Sequence, residues 1–348
     1  MATHKVTIAI PAYNRPHTLT TLLEGLVKSI TDDFFIVVCD DASPDRDGMN
    51  AVVERFKDSP NISFYRNEVN LGFSGNVLHV YELSTTEYVW FMCDDDVVYD
   101  TAPEAVLLKL EKFNPTVAVF NHTQTDPYDR TIKAYYGEKD LVFNSPDEIS
   151  DYSHLLRINF LSTLVVKKMD VADVIHTVDY TDNVFVQVTL ALQLLSRSFK
   201  YTEFPDVILH RNVGFKYGEF YKFYMVDHLK SVYLLNHVLN NSKFIRNAVK
   251  SLPTALKLFL SQKLGLFSYK GEPTPETIAL MYKYYGRLAF FMLLFPKVSM
   301  LTPTYILKFI YFLQLVLLHG LLKAKAIYSR NINRAFTDAR KTGFHTYK

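Results

Sequence analysis

The sequence predicts an α/β fold in which a mostly parallel sheet carries helices on both faces. Short apolar runs alternate with helical patterns from residue 5 to 120, which is typical of strands joined by helices. Of the 348 residues 49% are hydrophobic, enough to bury a substantial core. Runs of Asp also follow two of the apolar segments directly, at the edge where such a sheet binds ligands.

The predicted elements follow from the apolar pattern. Apolar runs rich in β-branched and aromatic residues favour strands, and the stretches between them have the period of a helix. The predicted strands of this first part are 6–10, 34–39, 62–65, 88–92 and 117–120. The predicted helices are 17–29, 48–57, 74–83 and 101–112. Further along, we expect a strand at 161–166, a helix at 180–195 and a strand at 200–205.

The stretch YVWFMCDDD, from Tyr88 to Asp96, is an apolar strand that ends in three carboxylates. A buried strand cannot carry these acids inside it, so we expect them at its open end. Carboxylates about 4 Å apart repel by a few kcal/mol unless a cation lies among them. Oxygen ligands favour Mg²⁺ or Mn²⁺, which also bind phosphate. The alternative is a solvated acidic turn before the next helix.

Polar residues also follow the first three predicted strands, so they should converge with the acids on one edge of the sheet. Asp40 and Asp41 are adjacent acids that could accept a hydrogen bond from the N–H edge of a nucleobase. Asp45 is expected in a turn or as a helix cap. Gly72 is expected to allow a backbone conformation that other residues disfavour. Asn76 either contacts the ligand or caps and packs within its helix. The other predicted ligand-binding residues of this edge are Pro11, Tyr13, Arg15 and Asn70.

Four segments, IAIPAYNRP, FIVVCDDASPD, NEVNLGFSGN and YVWFMCDDD, resemble in order and spacing the nucleotide-binding half of family 2 glycosyltransferases, which have the GT-A fold. The resemblance covers about the first 120 residues. It implies that Asp41 holds the nucleobase and that Asp94 contacts the ribose. It also implies that Asp95, followed by Asp96, binds the metal that bridges the donor diphosphate. Where the family usually begins Asp-x-Asp, this chain has Cys93.

The resemblance also implies roles beyond the sheet edge. In the family, an acid at the start of the helix predicted at 180–195 is the general base, and Asp182 has that place. As an isolated feature, Asp182 would be read as a helix N-cap, and Asp179 is the alternative base. The segment VILHRNVGFKYG corresponds to the family's mobile loop over the donor phosphates, where His210 is a candidate metal ligand.

After residue 219 the sequence changes to helices rich in Tyr, Phe and Leu, so we expect a GT-A domain over 1–219 and a helical module over 220–348. Residues 277–348 carry a net charge of +10; the whole chain carries +2, which leaves −8 on residues 1–276. The apolar run in 305–322 is too interrupted for the roughly 20 residues of a membrane span. The basic side chains of the helix predicted at 304–334 share one face; they are Lys308, His319, Lys323, Arg330 and Arg334. This favours a helix in the membrane interface, and the alternative is that its apolar face packs on the other helices or on a second subunit of a homo-oligomer.

These observations predict a metal-dependent transferase that moves a sugar from a nucleotide-diphosphate donor to a hydroxyl of a glycan or lipid-linked acceptor. By resemblance it is inverting and takes part in synthesis of bacterial surface polysaccharides, with no nucleic-acid partner. Two cysteines form no disulfide framework and no secretory signal precedes the first strand, so we expect it in the cytoplasm, at the inner face of the membrane. Two alternatives stay open. One is a nucleotidyltransferase, although PAYNRP is not the Gly-rich basic loop that it would need; the other is a non-catalytic nucleotide-sugar-binding module.

Overall fold

The computed structural model describes residues 4–125, 131–134, 137–149, 154, 157–170, 185–211 and 275. The described strands are β1 Val6–Ala12, β2 Phe34–Asp40, β3 Ile62–Arg66, β4 Tyr88–Phe91, β5 Val97–Val98, β6 Val117–Thr125, β7 Thr131–Lys133, β8 Leu141–Phe143, β9 Leu164–Lys167 and β10 Tyr201–Arg211. The described helices are α1 Pro16–Ser29, α2 Arg46–Phe56, α3 Gly72–Leu83, α4 Ala102–Phe113 and α5 Val186–Arg197. All the strands belong to one sheet, in the order β3-β2-β1-β4-β9-β6-β10-β5, with β7 beside β6 and β8 beside β10.

Helices cover both faces of the sheet, which confirms the predicted α/β fold class. Because successive side chains of a strand point to opposite faces, β1 contributes to two cores. Ile8 and Ile10 pack on the side of α1, α2 and α4. Ala9, between them, packs on the side of α3 and α5. The two faces of the sheet therefore carry two separate apolar layers.

The first four long strands form the half of the sheet that we call the donor half, β3-β2-β1-β4. All its pairs are parallel, so the carboxyl ends of its strands meet at one edge. In the register of these pairs Asp40 lies beside Ala12 on one side and beside Arg66 on the other. This arrangement brings the loops after β1, β2, β3 and β4 together, as the sequence predicts.

The remaining strands form the second half of the sheet, which is mixed. Strand β9 is antiparallel to both neighbours, β4 and β6, whereas β10 is parallel to β6 and antiparallel to β5. The predicted strand at 161–166 is shifted in the structure, because Leu161–Thr163 forms a turn of 3₁₀-helix before β9 begins. The short strands β5, β7 and β8 were not predicted, since two or three residues carry no readable period.

Several predictions concern residues outside those that the structure describes. They are the general base Asp182 with its alternative Asp179, the boundary at residue 219, and the helical module at 220–348. The helix predicted at 180–195 is confirmed from Val186 onward as α5. Among the described residues, no helix has the length and hydropathy needed to cross a membrane.

Candidate nucleotide-sugar site

The candidate site lies at the carboxyl edge of the donor half, where two acidic groups follow β2 and β4. The last residue of β1 and the residue after it each contact one of these groups. The main-chain N–H of Asp41 donates to the carbonyl of Ala12 over 2.9 Å, and the N–H of Tyr13 donates to Oδ2 of Asp94 over 3.2 Å. Ala12 and Tyr13, at the end of β1 and just beyond it, thus bridge the two acidic groups, so the structure brings these groups together as the sequence predicts.

Asp41 is the more deeply held of the two acids after β2. Its side chain is buried, and Oδ1 accepts from Asn67 Nδ2 over 2.7 Å and from the main-chain N–H of Leu71 over 2.8 Å. These donors come from the end of β3 and the start of α3. Their bonds fix the plane of the carboxylate, which is what recognition of a nucleobase N–H would require.

Asp40 has a different set of partners, all from nearby residues. It forms an ion pair with Arg66 and accepts from the main-chain N–H of Ser43 over 3.1 Å and from the Ser43 hydroxyl. Arg66 also donates to the carbonyl of Ser43 over 2.9 Å. Asp40 therefore stabilises the loop after β2. Asp45 caps α2 by accepting from the N–H of Gly48 over 3.0 Å, which confirms the prediction of a cap.

Asn76 lies behind this edge, where its amide joins the ends of two strands. The side chain is 2% exposed, and Nδ2 donates to the carbonyl of Cys39 over 3.0 Å and to that of Ala12 over 3.4 Å. Its Oδ1 accepts from Asn67 over 3.2 Å. The structure thus gives Asn76 the packing role that the sequence left open, and its direct contact with a donor stays a prediction.

The loop before α3 supplies the next two predicted residues. Gly72 has a φ of 73°, a conformation that side chains disfavour, and its N–H donates to Oδ1 of Asn70 over 2.8 Å. Leu71, between them, carries the N–H that binds Asp41. Gly72 thus permits the backbone turn that directs the Leu71 N–H at the carboxylate. Asn70 is exposed beside it.

Arg15 is the cation among the carboxylates after β4. Its guanidinium NH1 lies 2.9 Å from Oδ1 of Asp94 and 2.5 Å from Oδ2 of Asp95. Burial raises the pKa of Asp94 to about 7, while Arg15 and the Tyr13 N–H act in the opposite direction. Asp95 has the most exposed side chain of the three acids, at 21% against 5% for Asp94, and Asp96 is buried. Asp95 is therefore the acid that faces incoming ligands.

The third acid, Asp96, is held by a residue that sequence reasoning missed. The hydroxyl of Ser162 donates to Oδ2 of Asp96 over 2.5 Å and accepts from the main-chain N–H of Cys93 over 2.9 Å. Ser162 lies 66 positions after Asp96 in the chain. Since no local pattern joins positions so far apart, the sequence carried no signal for this contact.

A divalent cation fits the residues of this turn. One possible ligand atom from each of Cys93, Asp95 and Asp96 lies within 4.8 Å of the others. Carboxylate oxygens suit Mn²⁺ and Mg²⁺, and the thiol adds a softer atom. Burial raises the pKa of the Cys93 thiol well above its ordinary value, so the carboxylates of Asp95 and Asp96 are the anionic ligands of the group.

His210 lies near this turn, but its ring contacts two threonine hydroxyls and not the acids. Strand β10 pairs His210 with Val97, the residue after Asp96. Its ring is held by two hydroxyls, with Nδ1 3.0 Å from Thr123 Oγ1 and Nε2 3.2 Å from Thr125 Oγ1. The group of potential metal ligands does not include it. The metal contact of His210 therefore stays a prediction.

Other residues of the site were also not predicted. Arg66, Ser43, Asn67 and His79 complete the hydrogen-bond network behind the acids. Arg66 had a usable signal, because a basic residue ends the strand next to the one that ends in Asp40. Of the remaining predicted donor-binding residues, Pro11 lies in β1 opposite Cys39, and Tyr13 has an exposed side chain at the edge.

Comparison with known proteins adds a family match. The model of the family described as "Glycosyl transferase family 2" matches residues 7–176. A protein of Haemophilus influenzae described as an uncharacterized glycosyltransferase is 30% identical over 117 residues. That match covers 34% of this chain and 38% of the relative, so the chain spans well under two thirds of the length of that relative.

The fold is similar to that of a crystallised Staphylococcus aureus protein, TarS. Crystal structures of its residues 1–349, alone, with UDP and with UDP-GlcNAc, each cover 80% of this chain and are themselves covered to 80%. The TM-score is 0.56 for the structure without ligand and for the UDP complex, and it is 0.55 for the UDP-GlcNAc complex. At 16–17% sequence identity this similarity bears on the fold alone.

Proposed function

Residues 7–176 of this chain belong to glycosyltransferase family 2, and from that premise we propose that the protein transfers a sugar from a nucleotide-diphosphate donor to a hydroxyl acceptor. The observation that carries the proposal is the junction of the two acidic groups. Ala12 binds the main chain of Asp41, and Tyr13, the next residue, binds the side chain of Asp94. The acids that we propose for the base, the ribose and the diphosphate thus lie at one edge, which supports binding of a single nucleotide there.

In this proposal each acid has a separate task. The carboxylate of Asp41, held by Asn67 and Leu71, accepts the N–H edge of the base. Asp94, buried and bonded to the Tyr13 N–H, contacts the ribose hydroxyls. Arg15 lies against both Asp94 and Asp95, so its guanidinium is close enough to move onto a donor phosphate when a cation replaces it at Asp95.

Asp95 and Asp96 are the residues that would hold Mn²⁺ or Mg²⁺, with His210 as the further ligand implied by the family resemblance. Such a metal, when bound, neutralises negative charge on the leaving diphosphate. Asp182 takes the proton from the acceptor hydroxyl, which then attacks from the side opposite the diphosphate and inverts the sugar. The acceptor is proposed to be a glycan or a lipid-linked glycan of a cell-surface polysaccharide.

A uridine diphosphate sugar is the first donor to test. TarS, the structurally similar protein, has been crystallised with UDP and with UDP-GlcNAc. Asp41 is compatible with uracil, because the N3–H of uracil is a donor and a carboxylate is an acceptor. The proposed donor class for this chain is therefore a UDP-sugar, with UDP-GlcNAc as the starting compound.

The experiment is a panel of nucleotide sugars incubated with the full chain and Mn²⁺, with release of free nucleoside diphosphate as the readout. We expect one UDP-sugar to be hydrolysed slowly without acceptor, and EDTA to stop the release. Release of pyrophosphate from a nucleoside triphosphate and a sugar phosphate would instead identify a nucleotidyltransferase. Binding of a nucleotide sugar with no release under any acceptor would indicate a non-catalytic module.

The basic C-terminal segment is proposed to attach the enzyme to the cytoplasmic face of the membrane, near a lipid-linked acceptor. The support is its charge of +10 over residues 277–348 and the single basic face predicted for residues 305–334. Liposome flotation tests this. The chain should bind anionic vesicles less tightly at high salt, and truncation after Thr302 should abolish binding. An oligomer that ignores vesicles would assign the segment to a subunit interface.

A further inference from the structure

We propose that Ser162 is the positioning residue for the turn Cys93–Asp96, and that its hydroxyl sets the geometry in which this turn binds a divalent cation. The inference rests on the proposed function, because the cation is the one proposed to neutralise the donor diphosphate. Ser162 is fully buried, so it acts through Asp96 and Cys93 and not by contact with the donor.

Both ends of the turn contact the same oxygen atom. Cys93 donates its main-chain N–H to Ser162 Oγ over 2.9 Å, and Ser162 donates its proton to Oδ2 of Asp96 over 2.5 Å. The backbone bond that closes the turn, from the N–H of Asp96 to the carbonyl of Cys93, is long at 3.4 Å. Because hydrogen bonds of this length are weak, the Ser162 hydroxyl is the stronger link between the two ends.

The direction of these bonds is fixed by chemistry. An amide N–H can only donate, so the hydroxyl accepts from Cys93 and its single proton is committed to Asp96. A hydroxyl bond to a carboxylate is short and about twice as strong as one between neutral groups. The bond therefore holds the carboxylate of Asp96 in one orientation.

Ser162 is itself held rigidly by the strand that carries the turn. Its carbonyl accepts from Nε1 of Trp90 over 2.9 Å, and Trp90 is a fully buried residue of β4. The same segment is joined to α5, since Gln187 Nε2 donates to the carbonyl of Asn159 over 2.7 Å. The hydroxyl therefore has little freedom to follow the turn if the turn moves, as an orienting group requires.

The neighbouring Thr163 offers a matched comparison. Its hydroxyl is also buried, but it donates over 2.9 Å to the carbonyl of Phe160, within its own 3₁₀ turn. Ser162→Ala and Thr163→Val each remove one buried hydroxyl with little change of shape. Only the first removes a bond to the acidic turn, so a shared loss of stability can be subtracted.

The test is Mn²⁺ affinity in the presence of UDP, measured by the electron paramagnetic resonance of free Mn²⁺, with melting temperatures of the same samples. Ser162→Ala should weaken Mn²⁺ binding about 10-fold, the lower end for loss of a group that orients a metal ligand. Thr163→Val should leave it unchanged, while both variants melt at similar temperatures. Ser162→Cys, which keeps a weak donor, should lie between Ser162→Ala and the wild type.

A double variant tests the route of the effect. If the hydroxyl acts through Asp96, adding Ser162→Ala to Asp96→Asn should cause no further loss of Mn²⁺ affinity. The inference is overturned if Ser162→Ala binds Mn²⁺ as tightly as the wild type, or if Thr163→Val weakens binding equally. If the wild type itself binds no Mn²⁺ with UDP, the proposed metal fails and the inference fails with it. Normal wild-type binding with an unaffected Ser162→Ala rejects the inference alone.

Discussion

The two halves of the sheet differ in where their ionisable residues lie. In the donor half, β3-β2-β1-β4, the acids lie at or just beyond the strand ends, where loops and a ligand can reach them. In the second half, ionisable groups are buried within the strands themselves: Glu203 in β10 is 3% exposed and His122 in β6 is 4% exposed. The comparison suggests that one half is built for binding and the other for support.

The partners of the buried groups support this division. The carboxylate of Glu203 forms an ion pair with Arg157 and accepts from Tyr201 Oη over 2.8 Å, and it lies 2.9 Å from His154 Nδ1. These residues lie in β10 or in the segment just before β9, and the cluster holds the two together. In the donor half the main cation, Arg15, instead bridges two acids beside the proposed donor position.

The largest expected effect is on activity in the donor half. Asp95→Asn removes the most exposed acid of the proposed metal site and should lower donor turnover about 1000-fold, a transition-state loss of about 4 kcal/mol. The melting temperature should not fall, because the side chain lies at the sheet edge. Asp45→Asn is the matched control, since Asn also caps a helix and should keep full activity. Full turnover by Asp95→Asn would remove the metal from the account.

Asp182→Asn extends the comparison to the acid that precedes α5 in the sequence. As the general base it should lower transfer about 100-fold or more, while donor affinity stays unchanged. Steady-state transfer rates and UDP-sugar binding, measured on the same preparation, separate the two quantities. If donor affinity collapses and the rate of the bound complex does not change, Asp182 is not the base.

In the second half, the expected effect is on stability. Glu203→Ala leaves Arg157 without the buried carboxylate and should lower the free energy of unfolding by about 3 kcal/mol. Donor affinity of the folded fraction should not change. Glu54→Ala removes the exposed acid of the surface pair with Lys57 and should leave the unfolding midpoint where it is. A Glu203→Ala variant that unfolds at the wild-type denaturant concentration would contradict the supporting role.

The smallest effect concerns pH and His122. Burial lowers its pKa to about 3, with the charges of Arg211 and His210 acting in the same direction. The unfolded chain takes up this proton near pH 6.5, so stability falls as pH drops from about 6.5 towards 3. Between pH 7 and 5 this costs about 2 kcal/mol.

His122→Gln, which cannot titrate, should lose about 2 kcal/mol less than the wild type over the same interval in denaturant unfolding. His17→Gln, at an exposed position, should behave as the wild type does. Equal pH dependence of the wild type and His122→Gln would mean that the imidazole is not held neutral in the folded chain.

The two halves also differ in how far the sequence predicted them. In the donor half, apolar runs and helical periods alternate without interruption, so strands, helices and the polar edge could all be read from local patterns. The Asp45 cap was predicted for the same reason. In the second half, β9 enters the sheet antiparallel between β4 and β6, and strand direction depends on long-range connections that no local pattern records.

Within the site, residue type was predictable and partnership was not. The local pattern alone did not distinguish Asp40 from Asp41. In the structure, Asp40 binds Arg66 and Ser43, whereas Asp41 binds Asn67 and Leu71. The partners of Asp40 lie close in the loop or on the adjacent strand, so charge complementarity in the strand register could have found Arg66. Ser162 could not have been found, because a serine in an apolar segment is unremarkable until the fold places it.

The central claim is that the edge of the donor half binds a nucleoside diphosphate together with a metal at Asp95. Calorimetric titration of the full chain with UDP, in Mn²⁺ and in EDTA, tests it most directly. We predict that Mn²⁺ tightens UDP binding about 10-fold or more in the wild type and has no effect in Asp95→Asn. Equal UDP affinity of the wild type with Mn²⁺ and with EDTA would contradict the claim.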